Sequence, residues 1–158
     1  MNKFIKIIKF SILIFVVSAC SYEPIFLKKN YDFKIEEINL SGDKNVNSVI
    51  NRKLKFAEKK KETYKKSYSI NIDTKKKRKI ISKDSEGDPS KFEISITADY
   101  EIKDKEKILI KRKIVKKNIY DNETDKFKLE QSEKIIIENL SEKIVDTIIS
   151  YIINLNDN

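Results

Sequence analysis

Four stretches of the chain alternate apolar and polar residues with period two, and two others repeat apolar residues at helical spacing. A first strand is expected over Tyr31–Leu40, where Phe33 and Ile35 alternate and Ile38 and Leu40 then alternate one residue out of phase. Such a slip suits a bulge near Glu36-Glu37. Ser41-Gly42-Asp43 is turn chemistry, and Asp43 or Asn45 can cap the helix that follows. That helix places Val46, Val49, Ile50, Leu54 and Ala57 on one face and should fade within Glu58–Glu62. Period two returns at Ser67–Thr74, with Tyr68, Ile70 and Ile72 on one side, before a basic run, Lys75-Lys76-Lys77-Arg78-Lys79, and Ile80-Ile81. Lys83–Ser90 combines acids, Gly and Pro and reads as a loop.

The cleanest alternation comes next. Phe92, Ile94, Ile96, Ala98, Tyr100 and Ile102 point one way, and Glu93, Ser95, Thr97, Asp99, Glu101 and Lys103 the other. One buried and one wet face fits an antiparallel sheet covered on a single side. A hairpin at Lys103–Lys107 leads into a strand over Ile108–Tyr120, with Ile108, Ile110 and Ile114 on one phase and Leu109, Val115 and Ile119 on the other. A helix about 45 Å long, roughly Asp125–Asn154, closes the chain. Leu129, Ile136, Ile137, Leu140, Ile144, Ile148, Tyr151 and Leu155 form its main apolar stripe, with Ile135, Ile149 and Ile153 off it. The order β-α-β-β-β-α predicts an α+β two-layer sandwich: a four-stranded, mostly antiparallel sheet with two helices on one face.

The first residues have a different character. Lys3, Lys6 and Lys9 precede the apolar run Ile12–Val17 and the small residues Ser18-Ala19, the layout of a secretory signal peptide over 1–19. The run falls short of the roughly 20 apolar residues that span a bilayer. An uncleaved anchor helix and a signal without lipidation are the competing readings. Cys20 directly after Ser-Ala completes a pattern like a lipobox, in which the cysteine is acylated and becomes the first residue of the mature chain. At about 0.8 kcal/mol per buried methylene, three acyl chains would hold with tens of kcal/mol. Residues 20–30 then form a tether, in which Pro24 disfavours helix, and 31–158 a single domain.

Composition narrows the chemistry. The 158-residue chain carries net charge +9; residues 1–19 hold three lysines and no acid, leaving 31 basic and 25 acidic residues, or +6, in the mature part. Cys20 is the only cysteine and there is no histidine, so Ser-His-Asp, Cys-His and His-ligated zinc chemistry are excluded, and no intrachain disulfide can form. No enzyme, cofactor or metal site is expected. The basic residues are interspersed with acids, and the export signal argues against a nucleic-acid partner. The lysine and isoleucine excess also matches compositional drift, which competes with a membrane- or barrel-facing role for Ile149 and Ile153.

Cys20-Ser21-Tyr22-Glu23-Pro24-Ile25-Phe26 is similar to the Cys-Gly-Phe-x-Pro-Leu-Tyr opening of the LPS-assembly lipoprotein family (LptE), in particular its alphaproteobacterial branch. Gly87-Asp88-Pro89-Ser90 and the strand Phe92–Tyr100 resemble that family's Gly-x-Pro-x loop and Leu-x-Leu-x-Ala-x-Tyr strand, and the terminal amphipathic helix after Ile119-Tyr120 is the third likeness. The chain departs in Ser21, where glycine is usual, and in its lysine content. The resemblance implies a non-catalytic lipoprotein on the periplasmic side of the outer membrane. It would plug and help assemble the LPS-translocon β-barrel (LptD-like), contact lipopolysaccharide, and hold outer-membrane lipid through acylated Cys20. Under the sorting convention of the best-studied lipoproteins, Ser21 would be permissive for transfer to that membrane, where Asp would favour inner-membrane retention. On this resemblance Lys75, Lys76, Lys77, Arg78 and Lys79 are candidate contacts for LPS phosphates, against the reading of a solvated charge run. Gly87, Asp88 and Pro89 are either a turn that sets strand register or a barrel-contact loop. The alternative function is a free periplasm-facing lipoprotein that binds anionic lipid or glycan as a transport accessory.

Overall fold

A computed structural model describes residues 33–57, 64 and 66–156, which lie within one compact unit, 31–158. The expected signal segment, Cys20, the expected tether and the expected fading of the first helix at Glu58–Glu62 fall outside the described residues. The elements follow the expected order: β1 (Phe33–Gly42), α1 (Lys44–Ala57), β2 (Lys66–Lys83), β3 (Pro89–Asp104), β4 (Lys107–Asp121) and α2 (Lys126–Asn156). The sheet order is β1-β2-β3-β4. β1 runs parallel to β2, a pairing that needs the α1 crossover, and the other two pairs are antiparallel.

The phase slip in β1 is a bulge between Ile35 and Glu37, which returns Ile38 and Leu40 to the side of Phe33 and Ile35, opposite Ile70 and Ile72. β1 ends at Gly42, whose φ of 96° no side chain tolerates well; a Cβ there would meet the Thr74 carbonyl oxygen at 1.9 Å. Asp43 then caps α1, its Oδ1 accepting from the backbone N–H groups of Asn45 and Val46, each at 3.1 Å. Buried Thr74 ties the junction together. Its hydroxyl accepts from Asp43 N at 3.1 Å and donates to Asn47 Oδ1 at 2.7 Å.

One core fills the layer between sheet and helices. Val46, Ile50 and Leu54 of α1, the inward stripes of β2 and β3, and Leu140, Ile144 and Ile148 of α2 belong to it. Each such side chain stabilises the fold by about 1.5–3 kcal/mol on burial. Asp125 caps α2 through Phe127 and Lys128 N–H groups.

Four expectations require correction. β2 does not stop at Thr74; it continues through the basic run to Lys83, because every residue from Lys75 to Ile80 pairs with β3. The loop is correspondingly shorter, since Lys83 ends β2 and Pro89 and Ser90 open β3. Ile108 does not share a face with Ile110 and Ile114: pairing jumps from Lys103↔Ile108 to Ile102↔Ile110, so the extra residue Leu109 turns Ile108 outward. Ile149 and Ile153 face neither membrane nor barrel. They are 6% and 7% exposed, because the last turns of α2 are buried almost all round, with Val145 and Ile152 among the same core.

Candidate functional site

Among the described residues no helix covers the sheet's second face, and the chemistry of that face follows from strand alternation. Outward residues of β3, the chain's central strand, lie between two rows of lysines: Lys75, Lys77 and Lys79 of β2, and Lys111, Lys113 and Lys117 of β4. Glu93 was expected in water, yet is 6% exposed, since the Nζ groups of Lys79 and Lys117 close over it at 3.0 and 3.6 Å. The Lys79 hydrogen bond holds its carboxyl below the usual range, with Lys117 adding to the effect. Glu101 is held low in the same way by Lys111, 2.6 Å away, and the Lys111 ammonium is raised in return. The Ser41 hydroxyl, 2.8 Å from Asp73, lowers that carboxyl.

A trough of about 600 Å³ crosses this face, spanning all four strands. Asn39, Asn71, Asp73, Asp99, Glu101 and Lys113 are among the residues that line it. Sequence reading missed it. Its polar residues are scattered over four separate strands, and only the register Asn39↔Asn71↔Glu101↔Lys111 brings them into one row.

Alternation also divides the candidate phosphate contacts. Lys75, Lys77 and Lys79 lie on the helix-free face; Lys76 and Arg78 lie on the helix side. Lys76 pairs with Asp43 at 3.3 Å, and this ammonium, with the Val46 N–H, outweighs burial to hold the Asp43 carboxyl low. Arg78 is committed to packing. Its guanidinium carbon sits 3.6 Å from the Phe92 ring centroid, and its Nε–H reaches Glu133 at 2.8 Å and the Tyr120 hydroxyl at 3.1 Å. Tyr120 donates to the same carboxylate at 2.6 Å, and burial together with that bond pushes its hydroxyl up to about 12. Lys75 and Lys79 pair with Asp73 and Glu93, while Lys77 has no carboxylate partner among the described residues. The run therefore does not present its five cations on one face.

Gly87, Asp88 and Pro89 form the tip and exit of the β2–β3 hairpin. Asp84 Oδ1 accepts from the Glu86 and Asp88 N–H groups, the Asp84 N–H donates to the Asp88 carbonyl at 2.9 Å, and Gly87 supplies φ of 92°. Asp88 and Pro89 share a cleft of about 670 Å³ with Arg78, Phe92, Lys126 and Leu129. Of the five basic candidates, Arg78 alone lines that cleft. Exposed Ile80, Ile81 and Phe127 lie in the adjoining stretches of β2 and α2. Among the described residues no three His, Cys, Asp or Glu side chains group to hold a metal ion, and no helix is long and apolar enough to cross a membrane.

No family model and no curated protein matches the sequence. Solved structures do match. Rare lipoprotein B from Shewanella oneidensis superposes with a TM-score of 0.56 at 15% identity, over 76% of this chain and 98% of its own. Lipoprotein B from Nitrosomonas europaea gives 0.59 at 13% identity, over 82% and 90%. A lipoprotein from Caulobacter crescentus CB15 gives 0.50 at 12% identity, over 70% and 83%. The chain shares their fold. Identities this low carry the fold and nothing finer.

Proposed function

We propose that the chain is an envelope lipoprotein, anchored by acylated Cys20 on the periplasmic side of the outer membrane. There it serves as plug and assembly partner of the LPS-translocon β-barrel and supports insertion of lipopolysaccharide. The observation that carries this reading is the pairing of two independent features: a lipobox-like Ser18-Ala19-Cys20 and a fold shared with proteins described as lipoproteins. The surface supports it. A barrel lumen is polar, and the helix-free face presents rows of lysines flanking the carboxylates Glu93, Asp99 and Glu101. A body without histidine or a second cysteine suits a role of fitting rather than catalysis.

The test is detergent extraction of the lipidated protein followed by identification of what comes with it. A heat-modifiable barrel at unit stoichiometry is expected, and its absence overturns the assignment. Cys20→Ala should release the domain from membranes; unchanged fractionation removes the anchor. The second reading is an accessory that binds anionic glycan or lipid without a barrel, for which the four-strand trough offers Lys111, Arg112 and Lys113. That reading gains if extraction returns glycolipid and no barrel.

A further inference from the structure

Among the described residues the sheet leaves three stretches of edge without a neighbouring strand, and they differ. β1 presents ten residues broken by its bulge, with Glu36 and Glu37 at the break. Beyond Thr74, where β1 ends, β2 presents Lys75–Lys83, interrupted by register shifts at Ile80–Ser82 and Ser82–Lys83. β4 runs in unbroken register from Ile110 to Asp121, about 40 Å of backbone with no strand on its outer side among the described residues. Bulges blunt an edge and a straight run invites pairing.

From Ile110 to Asp121 this edge carries Lys111, Arg112, Lys113, Lys116 and Lys117 against Asp121 as its one acid. Lys111 and Lys117 lean back onto Glu101 and Glu93, and Arg112 stacks on Tyr151 with its carbon 4.7 Å from the ring centroid. Lys113 and Lys116, one on each face, have no carboxylate partner among the described residues. Val115 and Ile119, both 54% exposed, stand on the helix-free face on either side of Lys117. A neighbouring strand would cover both. A second copy of β4 would set lysine against lysine, which is unfavourable at directly opposed positions.

We infer that the β4 edge, Ile110–Asp121, is a docking site for an extended acidic strand of a partner protein. The partner adds a fifth strand by backbone hydrogen bonds, sets carboxylates against Lys113 and Lys116, and covers Val115 and Ile119. The inference stands apart from the barrel assignment. Its test reads backbone pairing, whereas the extraction reads a barrel, so either can fail alone.

The probe is a soluble peptide of about twelve residues repeating Glu-Glu-Thr-Thr, which puts carboxylates on both faces of the added strand at the spacing of Lys113 and Lys116, added to the full-length lipidated protein in detergent at low salt. Amide hydrogen exchange and fluorescence anisotropy are followed. Protection of alternate amides between Ile110 and Asp121 is expected, with none gained over Lys75–Lys83. Methylating every second backbone nitrogen of the peptide should weaken binding about tenfold or more, because it deletes the ladder and keeps the charge. Lys113→Glu with Lys116→Glu should remove the preference for the acidic peptide over its Lys-Lys-Thr-Thr counterpart, because the edge then carries three cations against three acids; Lys113 is exposed and Lys116 half-buried, and the methylated-peptide comparison needs no variant at all. Equal binding of the methylated peptide, or equal protection by inorganic tripolyphosphate, would mean a plain anion patch and overturn the proposal. So would protection confined to Lys75–Lys83, β4 protection that grows with protein concentration alone, or no binding.

Discussion

The two ends of the sheet are built from the same central strand yet packed in different ways. At the end where β1 and α1 lie, the inward residues Ala98, Tyr100 and Ile102 of β3 are flanked on β2 by Thr74, Ile72 and Ile70. Four strands lie under two helices there, and most of the fully buried side chains belong to this closed end. Past Gly42 there is no β1, and the sheet continues as a three-stranded arm of β2, β3 and β4. Here Phe92, Ile94 and Ile96 remain buried, but their flanks are Ile80, Arg78 and Lys76 on one side and Tyr120, Asn118 and Lys116 on the other. The arm is an apolar strand between the aliphatic stems of cations, roofed by the first half of α2 through Leu129 and Glu133. Stability should therefore concentrate at the closed end, and charge and open backbone in the arm.

Truncation tests that division most strongly. Ile70→Ala at the closed end should cost about 3–5 kcal/mol in chemical denaturation, and Leu129→Ala in the arm about half as much. Equal costs would mean that the arm is no looser than the rest. At the boundary, Gly42→Ala should cost about 2–3 kcal/mol, since it meets both an unfavourable φ and the Thr74 carbonyl. Thermal unfolding would show whether β1 still docks.

Within the arm the basic run should behave unevenly. Arg78→Ala should lose about 1 kcal/mol from the Phe92 stack and the partly screened Glu133 pair, whereas Lys77→Ala should stay within about 0.5 kcal/mol. A uniform response across Lys75–Lys79 would contradict the two-sided arrangement.

The smallest effect is a pH dependence. Glu93 and Glu101 have folded pKa values below their ordinary 4.5, so the stability they contribute is present above that value. It is lost as the pH falls through the lowered folded values. Lys79→Ala should flatten this acid limb through Glu93 in the arm, and Lys111→Ala through Glu101 at the closed end; urea midpoints compared at about pH 5 and pH 3 would read both.

Much of this architecture is legible along the chain. Period-two and helical patterns act locally, so the element order, the β1 bulge, the Asp43 cap and the inward stripe of β3 follow from neighbours a few residues apart. The burial of Glu93 does not, because it needs lysines from two other strands. Nor does the extension of β2 through five consecutive cations, which a propensity reading would end; the ladder to β3 compensates each residue with backbone pairing while one edge stays in water.

What the sequence by itself determined is the set of amphipathic segments, their order, and the lack of any histidine or second thiol. Tertiary structure decided where β1 stops along β2, and with it which backbone is left unpaired. It also decided that Ile149 and Ile153 are core and that Lys76 and Arg78 turn away from Lys75, Lys77 and Lys79. Register and layer contacts couple residues far apart in the chain, and their energies depend on partners that no local pattern names.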